Sequence, residues 1–201
     1  MIDPVVLLAF VPAAVALIVT PGPDMMFCLA QGMRSGKAAA WAASSGVSSG
    51  VLVHVALAGL GLGAVVAAFP QALDVIRWAG VCYLLFLAVQ ALRSGSVKAN
   101  GKGMSPLRAF RAGLFTNLSN IKVIWFVLAF IPQFVRPEAG PVLMQFLIFG
   151  AMISLLSFVG NGLVGVYAAT LGAKLVQSNK VLGYITGSIY AALAARLAIM
   201  E

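Results

Sequence analysis

Acidic side chains are scarce in this chain: 201 residues carry five Asp or Glu against thirteen Lys or Arg, with one histidine and two cysteines. One His and no Cys/His/Asp cluster offer no metal-ligand spacing, so neither a metal nor another cofactor is expected. Cys28 and Cys82 both lie in apolar runs and read as small buried hydrophobes rather than a disulfide. Charged residues make up 9% of the chain and hydrophobic ones 62%, with a mean hydropathy of +1.04. A soluble domain has about 25% charged residues, so that class is excluded. No basic segment precedes the first apolar run, which begins after Met1-Ile2-Asp3. A cleaved signal peptide is therefore not expected, and that run is expected to remain as a span.

What is present is a set of membrane-length apolar segments. Six are read at roughly 4–33, 39–68, 71–93, 109–135, 140–170 and 180–199, each able to cross a hydrocarbon core of about 30 Å at 1.5 Å per residue. The expected fold is an all-α integral membrane protein with six transmembrane helices, in one domain over residues 1–201. Gly80-Val81-Cys82-Tyr83 in the third span is echoed by Gly187-Ser188-Ile189-Tyr190 in the sixth. Three spans per half then suggest two inverted repeats, 1–95 and 105–201, joined by the polar linker 94–105. The same short match also suits a recurrent packing motif.

The net charge of +8 would point to nucleic acid in a soluble protein, but its distribution assigns it to topology. Arg34, Lys37, Arg93, Lys98, Lys102, Arg108, Arg111, Lys174 and Lys180 fall in alternate loops. Under the positive-inside rule, loops 34–38, 94–108 and 172–180 are cytoplasmic and both termini lie on the opposite side. The partner surface is a lipid bilayer, and no nucleic acid is expected. Small residues of the second span, from Ser44 through Gly63, suit close helix packing; they are compatible with a homodimer without requiring one.

One stretch disrupts the first span. In Thr20-Pro21-Gly22-Pro23-Asp24, two prolines and a glycine remove donors and helix propensity, so the helix is expected to break. A break at membrane depth must be buried in protein or line a polar cavity. Asp24, ten residues before Arg34, is the only acid well inside a span and lies about 15 Å deep. Lys122, eleven residues beyond Arg111, lies at about 16 Å from the same face. It follows the polar run Thr116-Asn117-Leu118-Ser119-Asn120. Buried ionisable groups at equal depth are expected to approach each other or share a cavity. Such a site suits a zwitterion: Lys122 and the N–H groups after Pro23 would face a carboxylate, and Asp24 an ammonium. A static pair locking two spans is the competing reading. His54, inside the second span, is either a proton-exchanging group or a hydrogen-bonded packing residue.

The Thr20–Asp24 motif is followed by the basic turn Arg34-Ser35-Gly36-Lys37 and then by Gly46 to His54. Next come Trp78-Ala79-Gly80 with Tyr83-Leu84, Phe110 to Lys122, and Phe130-Ile131-Pro132-Gln133-Phe134. In that order they resemble the LysE/RhtB family of amino-acid exporters. The resemblance implies export of amino acids and related small metabolites across the bacterial inner membrane, driven by the proton motive force. Substrate and protons would bind at Thr20, Pro21, Gly22, Pro23, Asp24, His54, Asn117, Asn120 and Lys122. Two departures stand out. Asn120-Ile121-Lys122 replaces the family's common Asn-Pro-Lys, so a proline-enforced kink is absent. Val51 replaces an acid found in many members, which favours neutral or apolar substrates over cationic ones.

Three other classes remain to be weighed. A metal-ion exporter of the wider superfamily requires clustered carboxylate, His or Cys ligands in the membrane. An intramembrane enzyme requires a nucleophile, base and orienting group in mutual reach, with His54 as base beside Ser44, Ser45, Ser48 or Ser49. A passive channel or structural membrane protein is compatible with hydropathy alone.

Overall fold

The computed structural model describes residues 4–68 and 103–171, together with isolated helical positions between 75 and 89 and between 188 and 195. All regular structure among the described residues is helical. Helix α1 (Pro4–Val19) stops at the Thr20–Asp24 motif, and α2 (Pro23–Ser35) restarts with Pro23 at its first position, where a missing N–H costs nothing. The two are bent by 55° relative to each other and together have the length and apolarity of one broken span. Gly36, with φ of +83°, ends α2 in a backbone region that side chains with a Cβ rarely adopt. The chain then turns directly into α3 (Lys37–Ala68).

The second half of the described structure repeats this order. Ser105 and Pro106 start α4 (Pro106–Leu118), and α5 (Ile121–Phe130) follows after Ser119 and Asn120. A 3₁₀ turn, Ile131–Phe134, extends α5, and this pair is also bent by 55°. The bend is present although no proline enforces it. Asn120 has β-region dihedrals and its side chain accepts a hydrogen bond from the Lys122 N–H at 3.1 Å, so it restarts the helix as an N-cap. A short loop with a 3₁₀ turn at Pro137–Ala139 leads to α6 (Val142–Leu171). Gln145 braces that loop, accepting from the Arg136 N–H at 3.0 Å and donating to the Arg136 and Gly140 carbonyls at 2.8 Å each.

Lys37–Gly61 of α3 and Val142–Thr170 of α6 are long and apolar enough to span a membrane, giving up to four spans with the two bent pairs. Apart from those isolated positions, the expected spans at 71–93 and 180–199, and most of the 94–105 linker, lie outside the described residues. Cys28 is buried, as expected, but Cys82 is exposed. It shares an outward face with Val75, Trp78, Leu85, Phe86 and Val89, which recur at helical spacing, so that face is lipid-directed.

Two packed layers stack along the bundle. On one side Phe10 of α1, Phe126 and Phe130 of α5, Phe134, and Phe146 and Phe149 of α6 form an aromatic cluster. Its ring centroids lie 4.5 to 6.0 Å apart. On the other side α2, α3 and α4 meet through small residues: Cys28, Ala39, Ala43, Val47 and Ala109. At this end the Met104 N–H donates to Ser35 Oγ at 2.7 Å, which ties the start of α4 to the α2–α3 turn. The expected role of small residues in the second span is visible at Gly46, where a Cβ would fall 2.0 Å from the Phe110 carbonyl oxygen of α4. Ser44 and Ser48 serve the same packing. Ser44 Oγ donates to the Phe158 carbonyl at 2.7 Å, and Ser154 Oγ of α6 donates to the Ser48 carbonyl at 3.0 Å.

Gly46→Ala should therefore overpack the α3–α4 contact and cost about 1–3 kcal/mol. Gly61→Ala, where a Cβ meets nothing within 4 Å, should leave stability unchanged or slightly raised. Thermal unfolding of the two variants in detergent measures the difference.

Candidate functional site

The site grows out of backbone groups that the two breaks leave without helical partners. Pro21 has no N–H, so the carbonyl of Leu17, four residues earlier, loses its donor. Lys122 Nζ takes that place, donating to the Leu17 carbonyl at 2.7 Å and to the Thr20 carbonyl at 2.9 Å. Its ammonium thereby lies at the C-terminal end of α1, where the helix dipole favours positive charge. Gly22 makes room for it, since a Cβ there would lie 3.1 Å from Nζ. Thr20 is fully buried and its Oγ1 donates to the Ala16 carbonyl at 2.6 Å. Pro21 is buried too, whereas Pro23 is exposed on the outer side of the break.

Asp24 occupies the first turn of α2, which has no side-chain N-cap, so the helix terminus itself supplies favourable partial positive charge. Asn117, from the last turn of α4, donates through Nδ2 to Asp24 Oδ2 at 2.8 Å. Its carbonyl accepts from the Asn120 N–H at 2.9 Å and contacts His54 Nε2 of α3 at 3.1 Å. The close approach of Asn117 to α3 requires Gly50, where a Cβ would lie 2.5 Å from Asn117 Oδ1. Thr20, Asp24, Asn117, Asn120 and Lys122 are thus gathered around the two breaks, and His54 touches the cluster through the Asn117 carbonyl.

Asp24 and Lys122 line a common cavity of about 20 Å³, together with Leu17, Val51, Ser157 and Asn161. Its volume admits about one water molecule. Among the described residues the two opposite charges form no direct salt bridge; each is held instead by neutral groups, carbonyls for the ammonium and an amide for the carboxylate. Asp24 Oδ1, Asn117 Oδ1, Asn120 Nδ2 and Asn161 Oδ1 are buried and make no hydrogen bond. These four atoms leave polar capacity unused inside an otherwise apolar bundle.

Ser157 and Asn161 are the wall residues that sequence reasoning missed. Asn161 Nδ2 donates to Ser157 Oγ at 3.0 Å. The signal was present as Ser154, Ser157 and Asn161, spaced three and four apart and so one stripe of an otherwise apolar helix. Of the α3 serines, Ser45 and Ser49 bond the Trp41 and Ser45 carbonyls of their own helix, at 2.9 Å each.

Two bent spans whose breaks meet at a buried polar centre resemble the broken-helix arrangement of many transporters. The chain belongs to the LysE type translocator family, whose model matches residues 15–201. It is 29% identical over 195 residues to a homoserine/homoserine lactone efflux protein of Salmonella typhimurium, covering 94% of each chain. It is 27% identical over 200 residues to a leucine efflux protein of Enterobacter sp., covering 96% of this chain and 94% of that one. An uncharacterized membrane protein of Vibrio cholerae is 31% identical over 148 residues, 71% of each chain. No solved structure matches significantly.

The two charges differ in what they do for the fold. Lys122→Met strips the donor from two buried carbonyls, each worth about 1–3 kcal/mol, and should lower Tm clearly. Asp24→Asn keeps shape and hydrogen bonding and should leave Tm close to that of the parent protein. Thermal denaturation in detergent reads both.

Proposed function

We propose that the protein is a secondary transporter that exports small neutral amino acids or related zwitterions through a central site at the two helix breaks. The observation that carries this reading is the single cavity shared by Asp24 and Lys122, with opposite charges that are not spent on each other. In the proposed complex the substrate ammonium meets Asp24 Oδ1, while its carboxylate meets the remaining donor of Lys122 and the open N-terminus of α2. The present hydrogen bonds have one ionised partner each, and an ionic substrate adds the attraction between full opposite charges, so it competes with the groups now holding them. The efflux of homoserine, homoserine lactone and leucine named for the relatives supports amino acids as the class. Val51 supports a neutral side chain: it is buried on the cavity wall at the position where the resemblance places an acid.

The cavity holds about one water, so it must widen to admit an amino acid. The proposed cycle is alternating access, with halves 1–95 and 105–201 moving against each other. A bent pair followed by a long helix, twice in the same order, supports the repeat. Proton coupling is assigned to Asp24, the one acid at the centre. The protein is proposed to lie in the bacterial inner membrane, with the basic end that carries Arg34, Lys37, Arg108 and Arg111 facing the cytoplasm. Among the described residues no three His, Cys, Asp or Glu side chains come together, which disfavours metal ions as cargo.

Counterflow in proteoliposomes tests the reading. Labelled neutral amino acids should accumulate against unlabelled substrate, and Asp24→Asn and Lys122→Gln should each reduce the rate more than tenfold. Absence of counterflow with every amino acid, from protein that is correctly inserted, contradicts it.

A further inference from the structure

The two breaks are enforced differently. At the first, Pro21 and Pro23 remove the N–H groups that a continuous helix would need. At the second, residue 121 is isoleucine, and its N–H is the ordinary helical partner of the Asn117 carbonyl four residues earlier. The poor helix formers Ser119 and Asn120 disfavour a helix by only about 0.5 kcal/mol each, too little to forbid one. The pair is nevertheless bent by 55° there, held within the segment by the Asn120 N-cap and from outside it by a contact to the Asn117 carbonyl.

Both acceptor positions of the Asn117 carbonyl are occupied, one by the Asn120 N–H at 2.9 Å and the other by His54 Nε2 at 3.1 Å. A carbonyl has two lone pairs, so the Ile121 N–H could return only by displacing one of these donors. A carbonyl oxygen cannot donate, so Nε2 is the protonated ring nitrogen in this contact. His54 follows Gly50 by four residues and shares its face of α3. Gly50 admits the Asn117 side chain, and His54 grips the Asn117 backbone. Held from both sides, Asn117 directs its amide onto Asp24 Oδ2 at 2.8 Å.

We infer that His54 is a positioning residue: its Nε2–H holds the second break open at the Asn117 carbonyl and so sets the Asn117 amide against Asp24. The ring contacts a peptide carbonyl, which has no proton to pass on, so this arrangement does not make His54 a proton donor to Asp24. Its fold role stands on the geometry alone; only its activity readout rests on the proposed transport function.

Four variants of the full chain test it: His54→Leu, His54→Gln, Ile121→Pro and the double variant His54→Leu/Ile121→Pro. Proline at 121 deletes the competing N–H and enforces the bend without His54. In counterflow, His54→Leu should raise KM about tenfold, as loss of one positioned hydrogen bond implies. His54→Gln, which keeps a donor but does not titrate, should restore KM to within about twofold, and so should the added Ile121→Pro. Ile121→Pro alone should behave as the parent protein. A double variant that is folded yet as impaired as His54→Leu overturns the inference, and so does an impaired His54→Gln. If the parent protein exchanges no amino acid, the transport reading fails by itself and the same variants are compared by Tm. There, a loss in His54→Leu that is absent in the double variant supports the positioning role, and additive losses overturn it.

Discussion

Backbone hydrogen bonding in a medium without water is the constraint on which the rest of this structure depends. A helix that crosses lipid satisfies itself, and a helix that breaks there must find donors elsewhere in the protein. The first break finds its donor in Lys122, on a helix more than a hundred residues away in sequence, and the second finds one in His54 on α3. Each borrowed donor ties a broken span to a neighbour, so the breaks cross-link the bundle at its centre. Charge is brought into the bundle interior as part of the same arrangement, because an ammonium serves the carbonyl end of α1 better than a neutral donor would.

The separation of Asp24 from Lys122 follows from that priority. Lys122 is occupied with two carbonyls and Asp24 with the Asn117 amide, so the opposite charges share a cavity without collapsing into a pair. A direct buried ion pair would have to be broken before a charged ligand could enter, at a cost of several kcal/mol. Neutral partners are more readily exchanged. The apolar wall residues Leu17, Val51, Val123 and Ile153 of the cavity belong to the hydrophobic cluster that also holds the aromatic rings.

Much of this was legible from the chain. Two prolines and a glycine inside an apolar run foretold the first break, and helical rise from Arg34 and Arg111 placed Asp24 and Lys122 at one depth. Both are consequences of local covalent chemistry and of a fixed repeat distance. The polar run 116–120 marked the place of the second break, but its cause was not legible, because an Asn N-cap and a histidine from another helix maintain it in place of a proline. Ser157 and Asn161 were missed because a few polar residues in a 30-residue apolar helix gain meaning only once the helix's inner face is known.

By itself the sequence determined that the protein is a helical membrane protein, that its first span breaks at Thr20–Asp24, and that one acid and one base stand beside interruptions of apolar runs. These follow from composition, from missing N–H groups and from residue counting, none of which needs a partner helix. Only the tertiary structure decided which groups satisfy the broken ends, that Asp24 and Lys122 face one cavity without pairing, and that α6 completes its wall. Those outcomes depend on which helix faces come together, through close approaches such as Gly46 to Phe110 and Gly50 to Asn117. Contacts between residues so distant along the chain have no local signature.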